Sequence, residues 1–130
     1  MTTILLAEDY EDFAARIATL LKPWNPIVLL ELDGLSAVQR IEDLTVSIDL
    51  VITDLTMPRR TGWHVIEATR FHRPLIPVVM QSGEAGDEWV KAETARLGVP
   101  LVPKWRLDEE LLPALLAIGA LAPLGLHRSA

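Results

Sequence analysis

Glu8 and Asp9 stand side by side where the aliphatic run "ILLA" stops, and Asp54 closes a second run in "LVITD". Ser82 and Lys104 end two more runs, in "VVMQS" and "LVPK". Three carboxylates held close together repel one another and drive a pKa upward unless a cation neutralises them. A hard, oxygen-seeking ion such as Mg2+ suits that task, a lysine ammonium adds a fixed positive charge, and a serine hydroxyl adds a hydrogen bond. The chemistry on offer is a metal-holding acidic pocket that can also receive an anion. Taken one at a time these residues have plainer roles. Asp9 can cap a helix, Asp54 can be a loop acid before a proline turn, Ser82 a turn hydroxyl beside Gly83, and Lys104 a surface lysine. Only elements that bring all five to one place make the pocket.

The chain supplies such elements by alternating short aliphatic runs with helical periods, the pattern of a parallel sheet. Strands are expected at 4–7, 27–32, 50–53, 78–81 and 100–102, covered by helices on both faces. Between them Phe13, Ile17, Leu20 and Leu21 form one helical stripe, Ala37, Ile41 and Leu44 a second, and Val65 with Ala68 a weaker third. The turns agree: Lys22-Pro23 closes the first helix, Asp33-Gly34 opens the second, Met57-Pro58 lies in the third loop, and Gly98 ends the fourth helix. The expected fold is an α/β (βα)5 doubly wound, five-stranded parallel sheet. Ligands of such sheets sit at the carboxyl ends of the strands, which is where the five polar residues fall.

Composition narrows the partners. The 130 residues are half hydrophobic and 23% charged, which suits one globular domain. A net charge of −6, with the twelve Lys and Arg scattered, argues against a nucleic-acid face. There is no cysteine, so disulfides and thiolate metal sites are excluded. The longest apolar run, 111–122, falls short of the ~20 residues a bilayer requires, and no signal segment opens the chain. A soluble, cytoplasmic protein is expected. His64, His72 and His127 show no metal-like pairing and are expected at the surface.

The ordered set "LLAEDY", "VITDLTMPRRTG", "VVMQSGE" and "LVPKW" resembles the receiver domain of bacterial two-component response regulators, over nearly the whole chain. The most specific portion is Asp54-x-x-Met57-Pro58-x-x-x-Gly62. The resemblance implies a flavodoxin-like receiver fold and a phosphoprotein of a signal-transduction phosphorelay. Asp54 would be phosphorylated by a histidine kinase or a phosphotransfer protein, with no catalysis beyond the gain and loss of that group. It further implies that Asp9, Asp54 and the Thr56 backbone carbonyl coordinate Mg2+ while Glu8 acts through a metal-bound water. Lys104 and Ser82 would hold phosphoryl oxygens, Gly83 would leave room for the donor, and Thr56 and Glu84 would flank the approach.

Two residues depart from the family pattern: Leu101 stands where an aromatic is usual, and Trp105 where a proline follows the lysine. They leave room for an alternative, a receiver-like interaction module that signals without phosphorylation. Trp89 and Trp105 are expected near the fourth helix and fifth strand, where Trp105 is a candidate partner contact. A receiver domain at 1–122 with a short tail at 123–130 is expected to act on an unknown output protein. The fifth helix, expected at 111–122, spreads its leucines and isoleucine over roughly 220° at about 100° per residue. Leu116, at one edge of that arc, is the expected contact for a second copy of this chain or the output partner.

Overall fold

The computed structural model describes residues 2–124, and the "GLHRSA" segment with His127 lies outside them. Five strands, β1 (Thr3–Ala7), β2 (Ile27–Glu31), β3 (Leu50–Asp54), β4 (Val78–Ser82) and β5 (Leu101–Pro103), form one parallel sheet in the order β2-β1-β3-β4-β5. The helices α1 (Glu11–Leu21), α2 (Gly34–Glu42), α3 (Gly62–His72), α4 (Glu88–Leu97) and α5 (Leu107–Ala117) connect or follow them. Alternate strand residues feed two separate cores. Leu5, Val51, Val78 and Met80 join Ile41, Val65, Ile66 and Val90 on one face, whereas Ile4, Leu6, Ile52 and Val79 join Ile17, Leu21, Leu111 and Leu115 on the other. Burial of both faces explains why the central strands are aliphatic at nearly every position.

Three expectations need correction. β2 is an edge strand and is not covered on both faces: Ile27, Leu30 and Leu32 are exposed. Leu44 lies beyond α2 and is exposed too, because that helix stops at Glu42 with Asp43 as its extended C-cap. The fifth helix runs from Leu107 to Ala117 and not from 111 to 122. Asp108, Glu109 and Glu110 in its first turn suit the positive end of the helix dipole, and Pro113 is accommodated inside it. Gly119 at φ 74° ends the helical path and turns Leu121 back into the core. Leu107, Leu111 and Leu115 are buried, so the outward apolar surface shrinks to Leu116, Ala117 and Ile118 with Leu112 half-buried.

α1 and the turn after it close against α5 and the segment after it. Trp24 donates its indole N–H to the Ala122 carbonyl at 2.7 Å, and Arg16 on α1 pairs with Asp108 on α5. No helix among the described residues is long and apolar enough to cross a membrane.

Candidate functional site: an acidic pocket at the carboxyl edge of the sheet

Asp54 is the last residue of β3 and Ser82 the last of β4, while Glu8 and Lys104 immediately follow β1 and β5. Parallel register therefore carries all four to one edge. Glu8 continues the β1 ladder by donating its backbone N–H to the Glu31 carbonyl at 3.0 Å, and its side chain is wholly buried. Asp9, one residue on, is exposed. One carboxylate oxygen from each of Glu8, Asp9 and Asp54 lies within 4.8 Å of the others. This all-oxygen donor set fits a hard divalent cation.

Lys104 Nζ lies between two of the acids, 2.9 Å from Asp54 Oδ2 and 3.0 Å from Glu8 Oε1, and 4.7 Å from the centre of the Phe13 ring. The other Asp54 oxygen accepts from the Leu55 backbone N–H at 2.7 Å. Burial pushes the Asp54 carboxyl up to about 6; Lys104 opposes that shift and the neighbouring Glu8 charge reinforces it. Burial also works against the Lys104 ammonium, but the bonds to Asp54 and Glu8 outweigh it and hold its pKa above the ordinary lysine value.

The loop after β3 is fixed by a close approach. Gly62 donates its N–H to the Leu55 carbonyl at 2.7 Å, and a Cβ on Gly62 would fall 2.3 Å from the Asp54 carbonyl oxygen. Only glycine fits there, which accounts for its place eight residues after Asp54. On the opposite rim Ser82 Oγ accepts from the Glu84 N–H at 2.9 Å, and the Thr56 hydroxyl donates to the Glu84 carboxylate at 2.6 Å. Thr56 and Glu84 are exposed and span the two loops beside Asp54. A Cβ at Gly83 would meet nothing, so the approach beside Ser82 is open.

The remaining candidates form no ion pair or hydrogen bond with Glu8, Asp9 or Asp54 among the described residues. Leu101 is half-buried beside Met80, Trp105 is 61% exposed in the 3-10 turn after β5, and Trp89 is 63% exposed on α4. Leu116 is 38% exposed on α5. His64 accepts from the Thr61 N–H in the capping box that starts α3, and His72 lies 3.7 Å from Glu42. No cis peptide bond occurs among the described residues.

Sequence reasoning missed Gln81. Its register partner on β3 is Asp54, it is wholly buried, and its side-chain amide donates to Glu8 Oε1 at 2.7 Å. The Gln81 Oε1 atom has no hydrogen-bond partner among the described residues. A polar residue before Ser82 reads as the strand leaving the core, and only the register reveals that it points beneath the acids.

The family model of the response regulator receiver domain matches residues 4–112. Response regulator RR06 of Streptococcus pneumoniae is 34% identical over 91 residues, which cover 69% of this chain and 40% of the relative. A two-component response regulator-like protein of rice, PRR73, is 35% identical over 81 residues, covering 61% of this chain and 11% of the relative. The matched segment thus covers less than half of either relative. A CheY-like receiver domain protein of Methanospirillum hungatei has the same fold, at TM-score 0.79 and 18% identity over 91% of this chain and 93% of that one. The response regulator TrrA of Thermotoga maritima, solved with Mg2+ and beryllofluoride, gives TM-score 0.75 and 19% identity over 91% and 99%.

Proposed function

Because this chain belongs to the response regulator receiver domain family, we propose that it accepts a phosphoryl group on Asp54 and signals by protein contact in the cytoplasm. The observation that carries this reading is the Lys104 ammonium held between the Asp54 and Glu8 carboxylates with Asp9 alongside. Such an arrangement keeps a carboxylate nucleophile in a neutralised, partly dry site, and phosphoryl transfer depends mainly on positioning and charge stabilisation. An oxygen of Asp54 attacks the phosphorus of a phosphohistidine on a kinase or phosphotransfer protein. The P–N bond breaks, its electron pair leaves with the imidazole, and an acyl phosphate forms.

Lys104 pairs with a phosphoryl oxygen once the transfer has occurred, and the Ser82 hydroxyl donates to another. Asp9, Asp54 and the Thr56 carbonyl would hold Mg2+, with Glu8 acting through water. When bound, the ion would supply positive charge to the phosphoryl oxygens. Gly83 admits the donor, and the Thr56 to Glu84 hydrogen bond governs how water reaches the acyl phosphate.

Phosphoramidate and acetyl phosphate, each with Mg2+, test the proposal by intact-protein mass spectrometry. One added phosphoryl group is expected on the wild type and none on Asp54→Asn. A wild type left unmodified by both donors would favour the phosphorylation-independent interaction module, to which the non-aromatic Leu101 is suited.

A further inference from the structure

The described surface carries one pair of indoles in contact that the phosphoacceptor chemistry does not use. Trp63 on α3 and Trp89 on α4 meet edge to face, with ring centres 5.5 Å apart and planes at 85°. They form a corner of a cleft of about 360 Å³ whose polar lining is Thr56, Thr61, Glu84 and Asp87, with Leu55 and Val90 as its remaining apolar lining. No lysine or arginine lines it. Glu84, in the loop before α4, and Asp87, its N-cap, have no cation within salt-bridge distance among the described residues, although Glu88 and Glu93 on α4 pair with Lys91 and Arg96. Their carboxylates are only partly engaged, by the Thr56 hydroxyl and by the Val90 N–H.

The geometry points to a binding site for an arginine side chain presented by a partner protein. A planar guanidinium can lie on an indole face and offer its N–H fork to a carboxylate at the same time, which a lysine ammonium does less well. The two unpaired acids supply the complementary charge. Thr56, Glu84, Asp87 and Trp89 are all exposed, so the cleft is too shallow to enclose a small ligand, and the rest of the binding surface must come from the molecule that carries the arginine. Thr56 and Glu84 also rim the Asp54 pocket, so that molecule lies against the acidic edge of the sheet.

Acetyl-arginine-amide is the probe, titrated at constant ionic strength without Mg2+ or phosphodonor, so the outcome does not depend on the phosphoacceptor reading. Saturable shifts of the Trp63 and Trp89 indole N–H resonances are expected. The neutral isostere acetyl-citrulline-amide should bind at least about threefold more weakly, and Glu84→Gln and Trp89→Leu should each weaken arginine binding by a similar factor. Trp89 is exposed, so its replacement leaves the core intact; thermal melts confirm folding of both variants. Equal responses to arginine and citrulline, or affinities unchanged in both variants, would overturn the site. Tetramethylammonium binding as tightly as arginine would overturn the assignment to a guanidinium in favour of a small quaternary cation.

Discussion

Gln81 donates its side-chain amide to the carboxylate of Glu8 at 2.7 Å, with both side chains wholly buried. Glu8 keeps two further donors, Lys104 and the Tyr10 N–H. Removing one hydrogen bond to a buried charge typically costs about 1.5–3 kcal/mol, but Gln81→Leu also removes an unpartnered acceptor. A net loss of about 1–2 kcal/mol is expected. Urea unfolding measures it, and an unchanged midpoint would mean that the amide does not hold Glu8.

Asp54 makes the pocket sensitive to pH. Its carboxyl, at about 6, lies above its ordinary 3.8, so the folded protein binds the proton more tightly than the unfolded chain. The stabilisation from that proton is complete below pH 3.8 and is lost as pH rises through about 6. In metal-free buffer Asp54→Asn should therefore melt higher than the wild type at pH 8, with the gap narrowing as pH falls towards 4. Mg2+ should raise the wild-type midpoint at pH 8 and leave the variant nearly unmoved. A variant that melts lower than the wild type at pH 8 would contradict the burial cost assigned to this carboxylate.

Gly62 permits the loop that presents Asp54. Gly62→Ala places a methyl against the Asp54 carbonyl, and relief requires the backbone to shift. Overpacking of this kind costs about 1–3 kcal/mol. Amide chemical shifts of Asp54 and Leu55 should move, and shifts confined to α3 would show that the helix yields instead.

Neighbours on α5 should differ sharply. Leu115 is fully buried and Leu116 is 38% exposed. Leu115→Ala is expected to cost about 2–5 kcal/mol and Leu116→Ala under about 1 kcal/mol. Denaturant unfolding of the two variants checks the contrast, and equal losses would place Leu116 in a packed interface.

How legible each part was follows from what one strand can say alone. Glu8, Asp54, Ser82 and Lys104 are readable because each interrupts or closes an aliphatic run, and a parallel sheet sends all such endings to one side. Gln81 is not readable, since its partner Glu8 lies 73 residues away and the register that joins them is a property of three strands together. The Trp63 to Trp89 contact is hidden for a similar reason, because periodicity describes one helix and not the groove between two. The start of α5 was misplaced because its uncharged apolar run begins only at Leu111, whereas the three acids before it form the first turn, where their charge suits the helix dipole. Edge exposure of β2 was missed because an aliphatic run looks the same at the rim of a sheet as at its centre.

The pairing of Lys104 with Glu8 and Asp54 also joins residues that are made at different times during synthesis. Fifty residues separate Asp54 from Lys104, so all three acids leave the ribosome well before the cation that two of them share. A nascent chain that ends after β4 would have to bury Glu8 with only an amide and a backbone N–H to solvate its charge. In such a chain the amino-terminal strands are expected to stay open to water until β5 docks. Its docking supplies the ammonium and lets α5 close over α1, so a segment made after the acids completes the pocket. Chains arrested before residue 104 should remain protease-sensitive around Glu8, and those extended through α5 should become resistant.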